Sequence, residues 1–164
     1  MKKLKIKSIQ GNNVLLKPFS KEFISKDYLV WMNDIETTKY IQKAKRNTSL
    51  EDLYYFANQM IDSNKDYFFA IILKKNQLHI GNVRLGPIDY KLMKSNFGIM
   101  IGNKDFRGCG IGTEVLELIK DFSFKQIKLE QLSFPAVEVY TAAMRLYEKV
   151  GFTLNNKVKK TLNK

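Results

Sequence analysis

Between residues 96 and 127 the hydrophobic pattern changes period once, and three glycines mark the change. Asn96 to Gly102 (N-F-G-I-M-I-G) is a short, nearly all-apolar run of strand length. From Ile111 to Ile127, residues Val115, Leu116, Ile119, Phe122 and Phe124 recur at helical spacing, with acids early and lysines late as the helix dipole prefers. Between the two lies Arg107-Gly108-Cys109-Gly110-Ile111-Gly112. The order predicts a strand, a tight glycine turn and a helix, with the apolar strand central and buried on both faces. Glycines let consecutive N–H groups turn into one concavity, and a helix N-terminus adds partial positive charge, so this loop is suited to cradle a pyrophosphate. The plain alternative is a tight connection with no ligand.

The flanking segments fit an α/β domain with a mixed sheet. Asn13 to Lys17 reads as a first strand closed by Pro18. Ser20 precedes a predicted helix over 21–32, and the acids after Ser49 open a second over 49–62 with Leu53, Phe56, Met60 and Ile61 on one face. Residues 67–73 and 78–85 read as an antiparallel hairpin broken at Gly86-Pro87. Leu129 to Val139 reads as a strand with a bulge or break near Pro135, because proline removes a ladder donor. Ala142 to Val150 forms a short helix closed by Gly151, and Phe152 starts a final extended segment.

At 164 residues, 45% apolar and 27% charged, the chain has the size and composition of one globular domain, 1–164, with no repeat or linker. No apolar run approaches the roughly 20 residues that span a bilayer, and the N-terminus lacks an export signal, so no membrane partner and a cytoplasmic address are expected. One cysteine, Cys109, and one histidine, His79, make neither a disulfide nor a zinc cluster, so no metal is expected. The 28 basic and 16 acidic residues leave a charge of +12, which favours an anionic partner. The basic residues neither cluster nor interleave with aromatics, so a nucleic-acid surface ranks behind a phosphate-bearing ligand.

The glycine spacing is wrong for a dinucleotide fingerprint, which needs G-x-G-x-x-G after the first strand, and no lysine follows Gly112 as a Walker loop requires. The segment instead resembles the R/Q-x-x-G-x-G/A signature of the GNAT superfamily of acyl-CoA N-acetyltransferases, with Arg107, Gly110 and Gly112 at matching positions. Leu146-Tyr147-Glu148-Lys149-Val150-Gly151-Phe152 is similar to that family's ending. Leu16-Lys17-Pro18-Phe19 and Trp31-Met32-Asn33-Asp34 resemble the opening of the branch with ribosomal-protein N-terminal and polyamine acetyltransferases. His79 to Ile88 resembles members that acetylate amino sugars.

The resemblance implies a single GNAT-like domain, a mixed, mostly antiparallel sheet with splayed central strands and flanking helices. It also implies acetyl-CoA as cosubstrate, bound by the loop amides of Arg107, Gly108, Cys109, Gly110, Ile111 and Gly112 and by the backbone of Ile99, Met100 and Ile101. Tyr147 matches the general acid. An acid often stands where this chain has Asn96, so the base is open between Asp89, His79 and a water held by Asn96, with a plain strand residue the simpler reading of His79. Tyr140 replaces an Asn usually found before the last helix, and the chain stops where relatives continue into another strand. The implied reaction is acetyl transfer to a small-molecule amine, a nucleotide-linked amino sugar first, with polyamines or protein N-termini as alternatives. A non-catalytic acyl-CoA-binding relative is the alternative of another class, and a homodimer is compatible with the sequence.

Overall fold

A computed structural model describes residues 3–39, 41, 47–135, 141–154 and 159–163. It contains strands β1 (Ile9–Gln10), β2 (Val14–Pro18), β3 (Tyr67–Leu73), β4 (His79–Leu85), β5 (Lys94–Ile101), β6 (Gln131–Pro135), β7 (Thr153–Leu154) and β8 (Lys159–Asn163). The helices are α1 (Lys26–Asn33), α2 (Ile35–Thr38), α3 (Leu50–Asp62), α4 (Ile111–Asp121) and α5 (Thr141–Lys149). The strands form one sheet in the order β1-β2-β3-β4-β5-β6-β8-β7. Its neighbours are antiparallel from β1 through β5, β5 and β6 run parallel, and β8 pairs antiparallel with both β6 and β7.

Alternation along the strands divides the core in two. On one face Val14, Leu16, Phe69, Ile71, Val83, Leu85 and Phe97 pack against Val115, Leu116 and Ile119 of α4. On the other, Leu15, Phe68, Ala70 and Ile72 pack against Tyr28 and Trp31 of α1 and Leu53 and Ala57 of α3. The two faces therefore serve different helices, and the sheet separates them.

Several expectations need correction. The predicted helix over 21–32 is a 3-10 turn at Lys21–Phe23 followed by α1. Its cap is Ser25, whose Oγ accepts from Tyr28 N at 3.1 Å, while Ser20 instead donates to Glu22. Ser49 caps α3 in a capping box with Asp52, but the buried stripe is Leu53 and Ala57, leaving Phe56 and Ile61 exposed. The helix expected to reach residue 127 leaves α geometry after Asp121 and continues as a π-turn over Phe122–Gln126. β5 is not buried on both faces: Gly98 is exposed and Ile99, Met100 and Ile101 are half-buried. β6 is described as far as Pro135, and the predicted continuation over 136–139, like Tyr140, lies outside the described residues. β8 occupies Lys159–Asn163.

Glu114 ties α4 to the opposite end of the chain. Its carboxylate accepts from Asn13 N at 2.8 Å, Asn13 Nδ2 at 2.9 Å and Val14 N at 3.1 Å. Burial pushes its pKa up, but these hydrogen bonds outweigh burial and hold it below the ordinary glutamate value. A depressed carboxylate stabilises the fold above its unfolded pKa and loses that contribution as pH falls through its folded one. Glu114→Gln should therefore cost about 1–2 kcal/mol at pH 7, with the gap to wild type closing between about pH 5 and 3 in urea titrations.

Candidate active site

The site begins where β5 and β6 part. Their parallel pairing covers Lys94↔Gln131, Ser95↔Leu132 and Asn96↔Ser133, and among the described residues it goes no further, although β5 continues to Ile101 and stays paired to β4. Gly86 N donates to Asn96 O at 2.8 Å and Gly102 N to Ile80 O at 2.9 Å, so even-numbered residues of β5 direct their backbone polar groups to β4. The odd-numbered ones, Phe97, Ile99 and Ile101, direct theirs away from β4, into the notch. Ile101 O is taken there by Arg107 Nε at 2.8 Å. The peptide groups of Ile99 line the notch as a strand edge that is unpaired among the described residues and that an extended ligand can join.

The glycine loop stands at the open end. Gly108 and Gly110 have φ of +71° and +88°, the left-handed region that favours glycine, and a Cβ at either would meet nothing within 4 Å. Among the described residues, the first amide after Arg107 to find a backbone acceptor is Glu114 N, bonded to Gly110 O at 3.1 Å. The N–H groups from Gly108 to Thr113 thus remain available at the start of α4, as an anion cradle requires. Cys109 is exposed in this loop, its Sγ 3.1 Å from Phe106 O.

Arg107 holds the cradle from behind. Its guanidinium donates to Ile101 O, to Gly102 O at 3.2 Å and to Thr37 Oγ1 at 2.8 Å. Thr37 Oγ1 donates in turn to Asp34 Oδ2, whose other oxygen pairs with Lys104 Nζ at 3.0 Å. The bonds from Thr37 and Lys104 hold the Asp34 carboxyl down to about 2. The Trp31 ring covers Gly102, where a Cβ would come within 2.1 Å of the indole. A cleft of about 290 Å³ remains between this helical corner and the turn after β5, lined by Asp27, Trp31, Asp34, Thr37, Gly102 and Lys104 among others.

The catalytic candidates separate. Tyr147 on α5 lies against Phe134 at a ring-centroid distance of 3.7 Å, with Phe97 at 6.0 Å and Phe152 at 5.9 Å. Burial among these rings pushes its hydroxyl up to about 12, so it keeps its proton at neutral pH. Asn96 is the last β5 residue paired to β6 and belongs by alternation to the opposite face from Phe97. Tyr147 and Asn96 therefore flank the point of parting from two sides. Asp89 is held elsewhere: its Oδ1 accepts from Leu92 N and Lys91 N, both at 2.9 Å, closing the turn before β5. The bond from Leu92 leads the effects that lower its pKa, and its bridge partner Lys94 is five residues, roughly 16 Å of strand, from Ile99. Its exposed carboxylate is thus a turn cap and a weak base.

His79 is boxed by Phe19, Phe23, Tyr28 and Trp31, with Nε2 2.9 Å from Asn82 Oδ1. Burial lowers its pKa, and it sits within the α1-side core as a strand residue. No local pattern signals the Arg107–Thr37–Asp34–Lys104 chain, because its cross-links join residues about 70 positions apart. Among the described residues no group of acidic, histidine and cysteine side chains suits a metal, and no helix is long and apolar enough to cross a membrane.

Known proteins resemble the chain in sequence and fold. A family model described as an acetyltransferase (GNAT) domain matches residues 13–153, and the chain belongs to that family. A Bacillus subtilis (strain 168) protein named probable N-acetyltransferase YjcK is 28% identical over 94 residues, 57% of this chain and 52% of the relative; the chain spans about half the relative's length over that match. A spermidine N-acetyltransferase from Vibrio cholerae, solved with CoA and spermine, superposes with a TM-score of 0.81 at 19% identity, covering 92% of this chain and 95% of that one. A protein described as apo FdhC, a nucleotide-linked sugar GNAT, superposes at 0.77 with 15% identity, covering 95% and 89%. At these identities the structural likeness establishes the fold.

Thr37→Val keeps the side-chain shape but removes both the acceptor for Arg107 and the donor to Asp34. It should change global stability by no more than about 1 kcal/mol, yet speed hydrogen exchange at Gly102 N. Unchanged exchange would show that the chain of bonds does not hold the loop.

Proposed function

We propose that the protein transfers an acetyl group from acetyl-CoA to a primary amine of a small molecule. The observation that carries this reading is the juxtaposition of the unpaired β5 edge at Ile99 with the free amides of the 108–113 loop. A diphosphate in the loop and an extended pantetheine along β5 bring a thioester to the point where β5 leaves β6.

There the neutral amine attacks the thioester carbonyl carbon. The Ile99 N–H, directed into the notch, offers a donor to the oxygen as it gains charge. The tetrahedral intermediate collapses by breaking the C–S bond, and Tyr147 Oη–H protonates the departing sulfur. The proton released by nitrogen leaves through a water at Asn96, whose amide positions water but is no base itself. Tyr147 recovers its proton from solvent, its raised pKa favouring the neutral phenol. Ordered attack within one ternary complex needs no acyl-enzyme, which leaves Cys109 a loop residue.

A nucleotide-linked amino sugar is the preferred acceptor. The resemblance of His79 to Ile88 to amino-sugar acetyltransferases, the likeness to a nucleotide-linked sugar GNAT and the charge of +12 support it. That charge also disfavours a free polyamine.

Tyr147→Phe should lower kcat by about 10²- to 10⁴-fold while leaving the CoA dissociation constant within about twofold. Equal turnover by both proteins would remove the proton donor. Gly110→Val combines a β-branched side chain with a φ of +88° and fills the space above the amides, so calorimetry should find CoA binding weakened more than tenfold. Tight CoA binding without turnover of any amine would instead support the non-catalytic alternative.

A further inference from the structure

On the sheet face that carries α1 and α3, strand register places Phe68, Arg84 and Gly98 in one row across β3, β4 and β5. Arg84 is fixed by Asp66, which is only 5% exposed. Its Nε and Nη2 both donate to Asp66 Oδ1, at 2.8 and 2.5 Å, and Ser63 Oγ donates to Oδ2 at 2.5 Å. Gly86 makes room for the carboxylate, since a Cβ there would lie 2.2 Å from Asp66 Oδ1. The guanidinium is thereby held in one plane. Yet the Arg84 side chain remains 35% exposed, and Nη1 has no hydrogen-bond partner among the described residues.

The neighbours of this fixed donor are equally specific. Gly98 leaves bare main chain: a Cβ would meet nothing within 4 Å, and its φ is ordinary, so neither crowding nor conformation requires glycine here. A side-chain-free position in mid-strand is where a ligand can approach the sheet. Phe56, 37% exposed, stands edge-on to Phe68 at 5.4 Å and walls the row on the α3 side. Lys94, exposed and on the same face as Gly98 by alternation, leaves the locality positive after Asp66 and Arg84 cancel. Gly98 is also the second residue beyond the last β5–β6 pair, beside the thioester position inferred above.

We propose that Arg84 and Gly98 form an anion-reading subsite of the acceptor, so that the substrate is an amine carrying a phosphate or carboxylate. The free edge of the guanidinium holds the anion in a charge-assisted bond, the Gly98 backbone floors the trough and Phe56 lies alongside the apolar body. This rests on the acetyl-transfer reading and specifies its substrate class. A free diamine would meet Arg84 and Lys94 with like charge and find no carboxylate in the row left unpaired.

The test is calorimetric titration of the protein first saturated with CoA, which occupies the loop cradle. Uridine diphosphate, succinate and putrescine are then added separately. Wild type should bind an anionic probe and not putrescine. A diphosphate preference identifies a nucleotide- or phosphate-linked amine, and a succinate preference an amino-acid-like one. Arg84→Gln strands the buried Asp66, so the informative variant is Arg84→Gln with Asp66→Asn, in which both charges go together. Gly98→Val, for which the fold has space, fills the trough directly. Each should weaken the anionic probe at least tenfold with CoA binding unchanged. The proposal is overturned if no anionic probe binds the CoA-loaded protein, if putrescine binds in preference, or if both variants bind the probes as wild type does. Failure of the first CoA titration overturns the acetyl-transfer reading itself.

Discussion

The parting of two parallel strands organises the molecule. A buried strand edge normally forfeits stability for each peptide group it leaves unpaired. Here β5 pairs with β6 over Lys94–Asn96 and with β4 over Phe97–Ile101, and among the described residues it has no β6 partner after Asn96, so the loss falls on outward peptide groups between Phe97 and Ile101. Arg107 satisfies one of these groups from within the protein. The aromatic cluster of Phe97, Phe134, Tyr147 and Phe152 packs beside the division and gives the diverging strands a common apolar support.

The arginine of the glycine signature has a role that its charge alone does not suggest. Its guanidinium donates to main-chain oxygens at the end of β5 and to a threonine on α2. Through Thr37 and Asp34 it joins Lys104, so the cradle-side turn is fastened to the α1–α2 corner at two points. The α1–α2 corner and the loop entering α4 are thereby joined by side-chain hydrogen bonds.

Much of this was legible in the sequence where the signal is local. The 67–73 and 78–85 hairpin was readable from β-branched and aromatic runs, and the 107–112 turn from its glycines, because strand period and left-handed backbone are set by neighbouring residues. The start of α3 was readable for the same reason, from the acids that follow Ser49. The α1 start was misplaced because Ser20 and Ser25 both suit a cap and only packing selects between them. The two-residue strand β1 and the four-residue helix α2 are too short to show a period. β5 looked doubly buried because an apolar run cannot report that its neighbour departs halfway along it. Tyr147 is singled out only by its likeness to the family ending, while the turn-capping use of Asp89 depends on where Lys91 and Leu92 fold back.

Trp31 is the single tryptophan of the chain, and its ring lies against Gly102, at the hinge between β5 and the turn that leads into the glycine loop. The protein therefore carries one indole chromophore, placed where the helical corner meets that turn. Its emission comes from this junction alone, so a shift in wavelength or quenching reports movement there without any attached dye.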